Sequence, residues 1–149
     1  MTESKTEEMV LTKQKDVHEN KEYTQKEASL VPVIDIKTGL LYCADSQDMY
    51  KEFVKMFCDG YEEKRQQLED FYVQLDWTNY AIKIHALKST SLSIGAAGLS
   101  ELAASLEKAG KENNAEFILS RHKEAMALYE AVVKEGNILQ GRENILEEE

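Results

Sequence analysis

One histidine in the chain, His85, has neighbours that could assist phosphoryl transfer. The segment around it reads IKIHALKSTSLSIGAAGLSELAASLE over residues 82–107. On a helix with about 100° per residue, Lys88 and Ser89 lie one turn from His85 and on its side of the helix. A neutral imidazole is a nucleophile near neutral pH, and a lysine ammonium can stabilise the charge of a phosphorylated ring. His85 is therefore the candidate phosphoryl acceptor, and Lys88 is the candidate group for stabilising phosphoryl charge.

The predicted helix around His85 has an apolar face that does not include the histidine. If Ile84 marks the centre of that face, His85 lies about 100° away, at the flank of the core. Small or apolar side chains on the exposed side could form a rim on which another protein docks. The predicted docking residues are Ile82, Ala86, Ser89 and Leu92. The same spacing also fits a boundary histidine on the surface of a helical bundle, because a lysine three residues after a histidine is common by chance.

Apolar residues recur at intervals of three and four positions through most of the chain after residue 45, which predicts a series of amphipathic helices. Residues that can cap helix N-termini and glycines that can end helices punctuate this pattern. The predicted caps are Asp45 or Ser46, Asp76 and Asn114, and the predicted breaks or ends are Gly60, Gly95, Gly110 and Gly136. Short connections favour antiparallel neighbours. We therefore expect an all-α fold, an antiparallel up-down four-helix bundle with a short N-terminal lead-in helix.

Composition divides the chain of 149 residues into one globular region with a charged extension at each end. Residues 1–32 are rich in Lys, Glu, Thr and Gln, which cannot bury enough apolar surface to offset the loss of chain entropy. We predict a disordered tail or linker there, the helical bundle over residues 33–136, and an acidic C-terminal tail over residues 137–149.

The charge and hydropathy of the chain disfavour several classes of partner. A net charge of −10 repels phosphate backbones and anionic membranes, so we expect no binding to nucleic acid. No apolar run is long enough to span a membrane, and the N-terminus has no signal-peptide pattern, so we expect no direct membrane insertion and a cytoplasmic location. We predict no metal site, because His122 is better explained as a packing histidine than as a ligand.

A longer pattern extends from His85 into the following predicted helix. It comprises His85, Leu87, Lys88, Gly95, Leu99, Leu102, Leu106 and Glu107. This pattern resembles the signature of histidine-containing phosphotransfer (HPt) domains, which reads H-x-L-K-G, then a glycine ten residues after the histidine, then spaced leucines ending in L-E. The resemblance covers about residues 34 to 135. In one departure, Ser89 stands where the family usually has glycine, and because serine is small we expect docking to survive.

The resemblance implies a phosphorelay carrier without ATP-dependent kinase activity of its own. Such a domain accepts a phosphoryl group from an aspartate of a response-regulator receiver domain and passes it to another receiver. The resemblance makes His85 the phosphoacceptor and Lys88 its electrostatic helper, and it adds Gly95 to the predicted docking residues. It also implies no cofactor of the chain's own, Mg²⁺ on the partner receiver, and a monomer.

Two function classes stay open at the level of sequence. The first is the phosphotransfer module, and the second is a non-catalytic helical adaptor that binds other proteins without carrying phosphate.

The cellular context is open as well. The chain could be a free-standing shuttle or the C-terminal module of a bacterial hybrid sensor histidine kinase, tethered to the membrane through that kinase.

Overall fold

A computed structural model of the protein describes residues 33–148, with side chains described for residues 33–141. This part of the chain contains six helices and no strand. They are α1 (Ile36–Tyr42), α2 (Gln47–Asp59), α3 (Tyr61–Val73), α4 (Trp77–Ser93), α5 (Ala97–Lys111) and α6 (Ala115–Glu148). The predicted all-α class is confirmed, and α1 is the predicted lead-in helix. The tail predicted over residues 1–32 lies outside the described residues.

Side-chain caps begin four of these helices. Asp35 caps α1 by accepting from the backbone N–H of Thr38, and three further caps begin α2, α4 and α6. Ser46, Asp76 and Asn114 each accept a hydrogen bond from the backbone N–H three residues later, at a donor–acceptor distance of 3.2 Å. Each bond satisfies one of the N–H groups that have no partner within the first turn of a helix. The caps predicted at Asp76 and Asn114 are confirmed, and of the two alternatives before α2 the cap is Ser46.

The core is formed by the apolar stripes of the longer helices. Helix α4 packs against α1, α2, α3 and α5, and α6 packs against α2, α3 and α5. The largest fully buried apolar side chains of the core are Leu68, Tyr80, Ile84, Ile94, Leu99, Leu106, Ile118 and Tyr129. Between residues 33 and 148, no helix is both long enough and apolar enough to span a membrane.

Two glycines that were predicted to end helices lie inside them instead. Helix α5 ends one residue past Gly110, at Lys111, and α6 passes through Gly136, so residues 137–148 continue α6. A Cβ added at Gly136 would lie 2.6 Å from Sγ of Cys58, and one at Gly110 would lie 2.9 Å from Cβ of Ala81. The predicted end at Gly136 is therefore wrong, whereas the one at Gly110 is within two residues of the observed end. Both glycines allow helices to approach closely.

The turn between α4 and α5 is covered by the segment that leads into α1. Gly95 has a φ of 87°, and its carbonyl oxygen accepts a hydrogen bond of 2.9 Å from the backbone N–H of Asp35. The hydroxyl of Tyr50 donates to the neighbouring carbonyl of Ile94 at 2.9 Å. Gly95 is buried in this contact, so the prediction that it belongs to the docking surface is wrong.

Gly95→Ala is expected to lower the free energy of unfolding by about 2 kcal/mol. Alanine would have to adopt a positive φ that is disfavoured for residues with a side chain, and its Cβ would overlap the carbonyl oxygen of Asp35. Urea denaturation followed by circular dichroism measures the change. Gly98→Ala is the matched control, since a Cβ at that position of α5 meets none of the described atoms within 4 Å. Equal stability of Gly95→Ala and the wild type would contradict the prediction.

Candidate functional site

The ring of His85 lies on the exposed face of α4. Its side chain is 59% exposed. Ile82 is 61% exposed, Ala86 and Ser89 are also exposed, and Leu92 is half-buried. These positions fall within about 100° of His85 around the helix axis. The structure thus places the docking residues predicted on α4 around the histidine.

The carboxylate of Glu107, on α5, binds the Nδ1 side of the His85 ring. Nδ1 of His85 lies 2.7 Å from Oε2 of Glu107, a residue whose side chain is only 6% exposed. An ionised carboxylate can only accept hydrogen bonds, so Nδ1 carries the proton and donates it to Glu107. The lone pair of the neutral ring is therefore on Nε2, the nitrogen on the far side from the carboxylate.

Glu107 is ionised because three donors surround its carboxylate. Nζ of Lys88 donates to Oε1 at 2.7 Å, and Nζ of Lys111 lies 3.0 Å from Oε2. Burial by itself would raise the pKa of the Glu107 carboxyl. Hydrogen bonds from Lys88, Lys111 and His85 outweigh that effect and lower the pKa to about 2. The carboxylate is therefore charged throughout the neutral range and constrains the ring at every physiological pH.

The sequence of the chain matches a known protein family over the helices that carry this site. The family model of the Hpt domain, the histidine-containing phosphotransfer domain, matches residues 52–134, which is more than half of the chain. The chain belongs to the HPt domain family. HPt domains are phosphotransfer carriers in phosphorelays rather than kinases, and they interact with response-regulator receiver domains. No curated protein and no solved structure matches the chain.

Lys88 lies where the sequence placed it in this HPt domain, one turn from His85, with a side chain that is 33% exposed. Its ammonium is bound to Glu107. The backbone carbonyl of Lys88 also accepts a hydrogen bond of 2.8 Å from the hydroxyl of Ser100 on α5. Helix α5 therefore contacts both the charged end and the backbone of this residue.

Glu107 and Lys111 are residues of this HPt site to which the sequence prediction assigned no role, although Glu107 belongs to the family pattern. The contact of Glu107 with His85 is the part that sequence reasoning missed. Glu107 is separated from His85 by 22 positions, so no local spacing joins the two. A signal was nevertheless present, because Glu107 continues the buried stripe of α5 four residues after Ala103 and next to Leu106. A carboxylate on a buried stripe is costly unless a partner compensates it, so the pattern predicts a cationic or N–H donor on the facing helix.

The second histidine of the matched region has a packing role. His122 is 1% exposed, and its Nδ1 lies 2.8 Å from the hydroxyl of Tyr80 while its Nε2 lies 2.7 Å from Oε1 of Glu69. The ring stacks on Tyr72 with centroids 3.9 Å apart. Both nitrogens are satisfied, which confirms the predicted packing role. Across the described part of this HPt domain, no three His, Cys, Asp or Glu side chains are grouped so as to hold a metal ion.

Proposed function

We propose that this HPt domain accepts a phosphoryl group on Nε2 of His85 from the aspartate of a receiver domain and passes it to another receiver. The observation that carries the proposal is the pairing of an exposed imidazole with a buried, ionised carboxylate at its Nδ1. That pairing leaves an unprotonated nitrogen facing the surface on which a partner can dock.

The proposed transfer uses the tautomer of His85 that has its proton on Nδ1 and its lone pair on Nε2. Nε2 attacks the phosphorus of the receiver's aspartyl phosphate, and an N–P bond forms as the bond from phosphorus to the aspartate oxygen breaks. The aspartate leaves as a carboxylate. The proton on Nδ1 stays in its hydrogen bond with Glu107, which stabilises the positive charge that develops on the ring. Transfer to a second receiver is the reverse of these steps.

Two lysines would supply positive charge beside the phosphoryl group. Lys88 and Lys111 both donate to Glu107, which keeps their ammonium groups at the carboxylate that binds Nδ1 of His85. We propose that Lys88 stabilises the transferring phosphoryl group. This mechanism asks for no cofactor bound to the chain itself, and Mg²⁺ held by the receiver would neutralise part of the phosphoryl charge.

The proposed docking surface consists of Ile82, Ala86, Ser89 and Leu92, with His85 among them. Ala86 and Ser89 are small, so the partner's active site can approach the ring closely. Exposed Ile82 adds apolar surface that a partner can bury. We further propose that the domain is a cytoplasmic monomer.

The finer architecture that we propose is an antiparallel up-down four-helix bundle. In it, α2 and α3 together form one member, and α4, α5 and α6 form the others. The connections at 74–76, 94–96 and 112–114 have three residues each, and connections this short favour antiparallel neighbours.

Phosphoryl transfer from labelled receivers tests the proposed function. A panel of phosphorylated receiver domains with Mg²⁺ is mixed with the wild type and with His85→Gln. We expect label on the wild type that is lost in acid and survives base, and none on His85→Gln. His18→Gln is the control, because it removes a histidine outside the matched residues 52–134.

Two outcomes would overturn the proposal. If no receiver in a broad panel labels the wild type, or if His85→Gln is labelled equally well, the chain does not carry phosphate on His85. The non-catalytic helical adaptor then becomes the better account of the fold.

A further inference from the structure

We propose that Gly110 and Ser100 are positioning residues for His85, because they set the distance between α4 and α5 at which Glu107 reaches the ring. The inference rests on the proposed function, since it concerns the tautomer that makes Nε2 the nucleophile.

Gly110 fixes the helix spacing on one side of Glu107. It lies three residues after Glu107 on α5, so the two residues are neighbours on the same face of the helix. A Cβ added at Gly110 would lie 2.9 Å from Cβ of Ala81 and 3.1 Å from the carbonyl oxygen of Trp77, both on α4. Carbon atoms pack best at about 3.5 Å or more. Any side chain at this position would therefore push α5 away from α4.

Ser100 fixes the spacing on the other side. Its side chain is buried, and its hydroxyl donates a hydrogen bond of 2.8 Å to the backbone carbonyl of Lys88. Ser100 lies two turns before Glu107 on α5, and Lys88 lies one turn after His85 on α4. The contacts of Ser100 and Gly110 thus bracket the hydrogen bond between His85 and Glu107 along the interface of the two helices.

The bracketed hydrogen bond leaves little room for helix movement. Nδ1 of His85 and Oε2 of Glu107 are 2.7 Å apart, and N–H···O bonds weaken beyond about 3.2 Å. If the two helices move apart, the Glu107 side chain cannot easily change its conformation to keep contact with the ring, because it is buried and bound by Lys88 and Lys111. A shift of α5 by several tenths of an ångström would therefore weaken the bond that holds the proton on Nδ1.

Gly110→Ala tests the inference through the tautomer of His85. The ¹⁵N chemical shifts of the ring, measured on the unphosphorylated chain, show which nitrogen carries the proton. We expect Nδ1–H in the wild type and a shift toward Nε2–H in Gly110→Ala, with phosphoryl transfer slowed by about tenfold. Gly98→Ala on the same helix is the matched control, and we expect it to change neither quantity. Its added Cβ would have no described neighbour within 4 Å.

A second substitution separates positioning from a general loss of stability. Ala81→Gly removes the atom that the new Cβ of Gly110→Ala would strike first. We expect the double variant to regain most of the Nδ1–H tautomer and of the transfer rate, although a further glycine in a helix lowers stability. If stability alone controlled transfer, the double variant would be slower than either single variant.

Ser100→Ala gives an independent measurement if Gly110→Ala does not fold. We expect it to shift the tautomer in the same direction, whereas Ser105→Ala, which removes an exposed hydroxyl bonded only within α5, should not. A folded Gly110→Ala chain that keeps the Nδ1–H tautomer and the wild-type rate would overturn the inference. Failure of the proposed function would show differently, as a wild type that no receiver labels while its tautomer remains measurable.

Discussion

Glu107→Ala is expected to slow phosphoryl transfer to His85 by about a hundredfold, the largest effect among changes that keep the histidine itself. The wild-type carboxylate binds Nδ1 at 2.7 Å and keeps the proton off Nε2. With alanine there, the ring is free to protonate Nε2, the exposed nitrogen that must attack phosphorus. The ring also loses the negative charge that stabilises it once it becomes cationic.

Single-turnover transfer from one receiver measures this effect. Glu107→Gln keeps an oxygen that can accept from Nδ1 but loses the charge, so its rate should fall between those of the wild type and Glu107→Ala. Glu101→Ala removes an exposed carboxylate from the same helix and should transfer at the wild-type rate. Wild-type transfer by a folded Glu107→Ala chain would show that the ring needs no acceptor at Nδ1.

His122→Ala is expected to lower the free energy of unfolding by about 4 kcal/mol. The substitution opens a cavity at a residue that is 1% exposed. It also leaves the fully buried hydroxyl of Tyr80 without its partner on α6 and removes the partner of Glu69 on α3. Urea denaturation gives the value, and Lys123→Ala at the next, exposed position of α6 is the control. A loss below about 1 kcal/mol would contradict a structural role for this network.

The same histidine should make stability depend on pH. Burial lowers the pKa of His122 below its usual 6.5, although Glu69 acts in the opposite direction. The unfolded chain therefore binds a proton more readily than the folded one. The stabilising contribution is complete above about pH 6.5 and falls as the pH drops toward the folded-state pKa. Urea midpoints between pH 5 and 8 should decline less steeply in His122→Gln than in the wild type. Parallel profiles for the two proteins would contradict this assignment.

Features that depend on neighbouring residues could be predicted from the sequence. The apolar stripes and the caps at Asp76 and Asn114 are local, because helix periodicity and capping act within one or two turns. Gly136 gave a wrong helix end, and the close helix contact at Gly110 was not predicted, since a glycine that ends a helix and one that admits a neighbouring helix look alike in a single sequence. Only the packing of α5 on α4 and of α6 on α2 separates the two cases.

The site residues also differ in whether their placement depends on nearby or on distant parts of the sequence. His85 and Lys88 could be predicted because they share one helix, and their relative placement follows from the helical repeat. Glu107 is on another helix, and its contact with the ring depends on the distance between α4 and α5. Gly95 was assigned to the wrong surface because its burial comes from a contact with Asp35, far from it in the sequence.

His85, Glu107 and Lys88 come from α4 and α5, a pair of helices joined by residues 94–96. Contacts within such a hairpin close only short loops, and they form at low entropic cost during folding. We expect this hairpin to be formed in the folding transition state, before α1 packs on α4 and α6 packs on α5. Destabilising substitutions between α4 and α5 would then slow folding, whereas those between α2 and α6 would mainly speed unfolding.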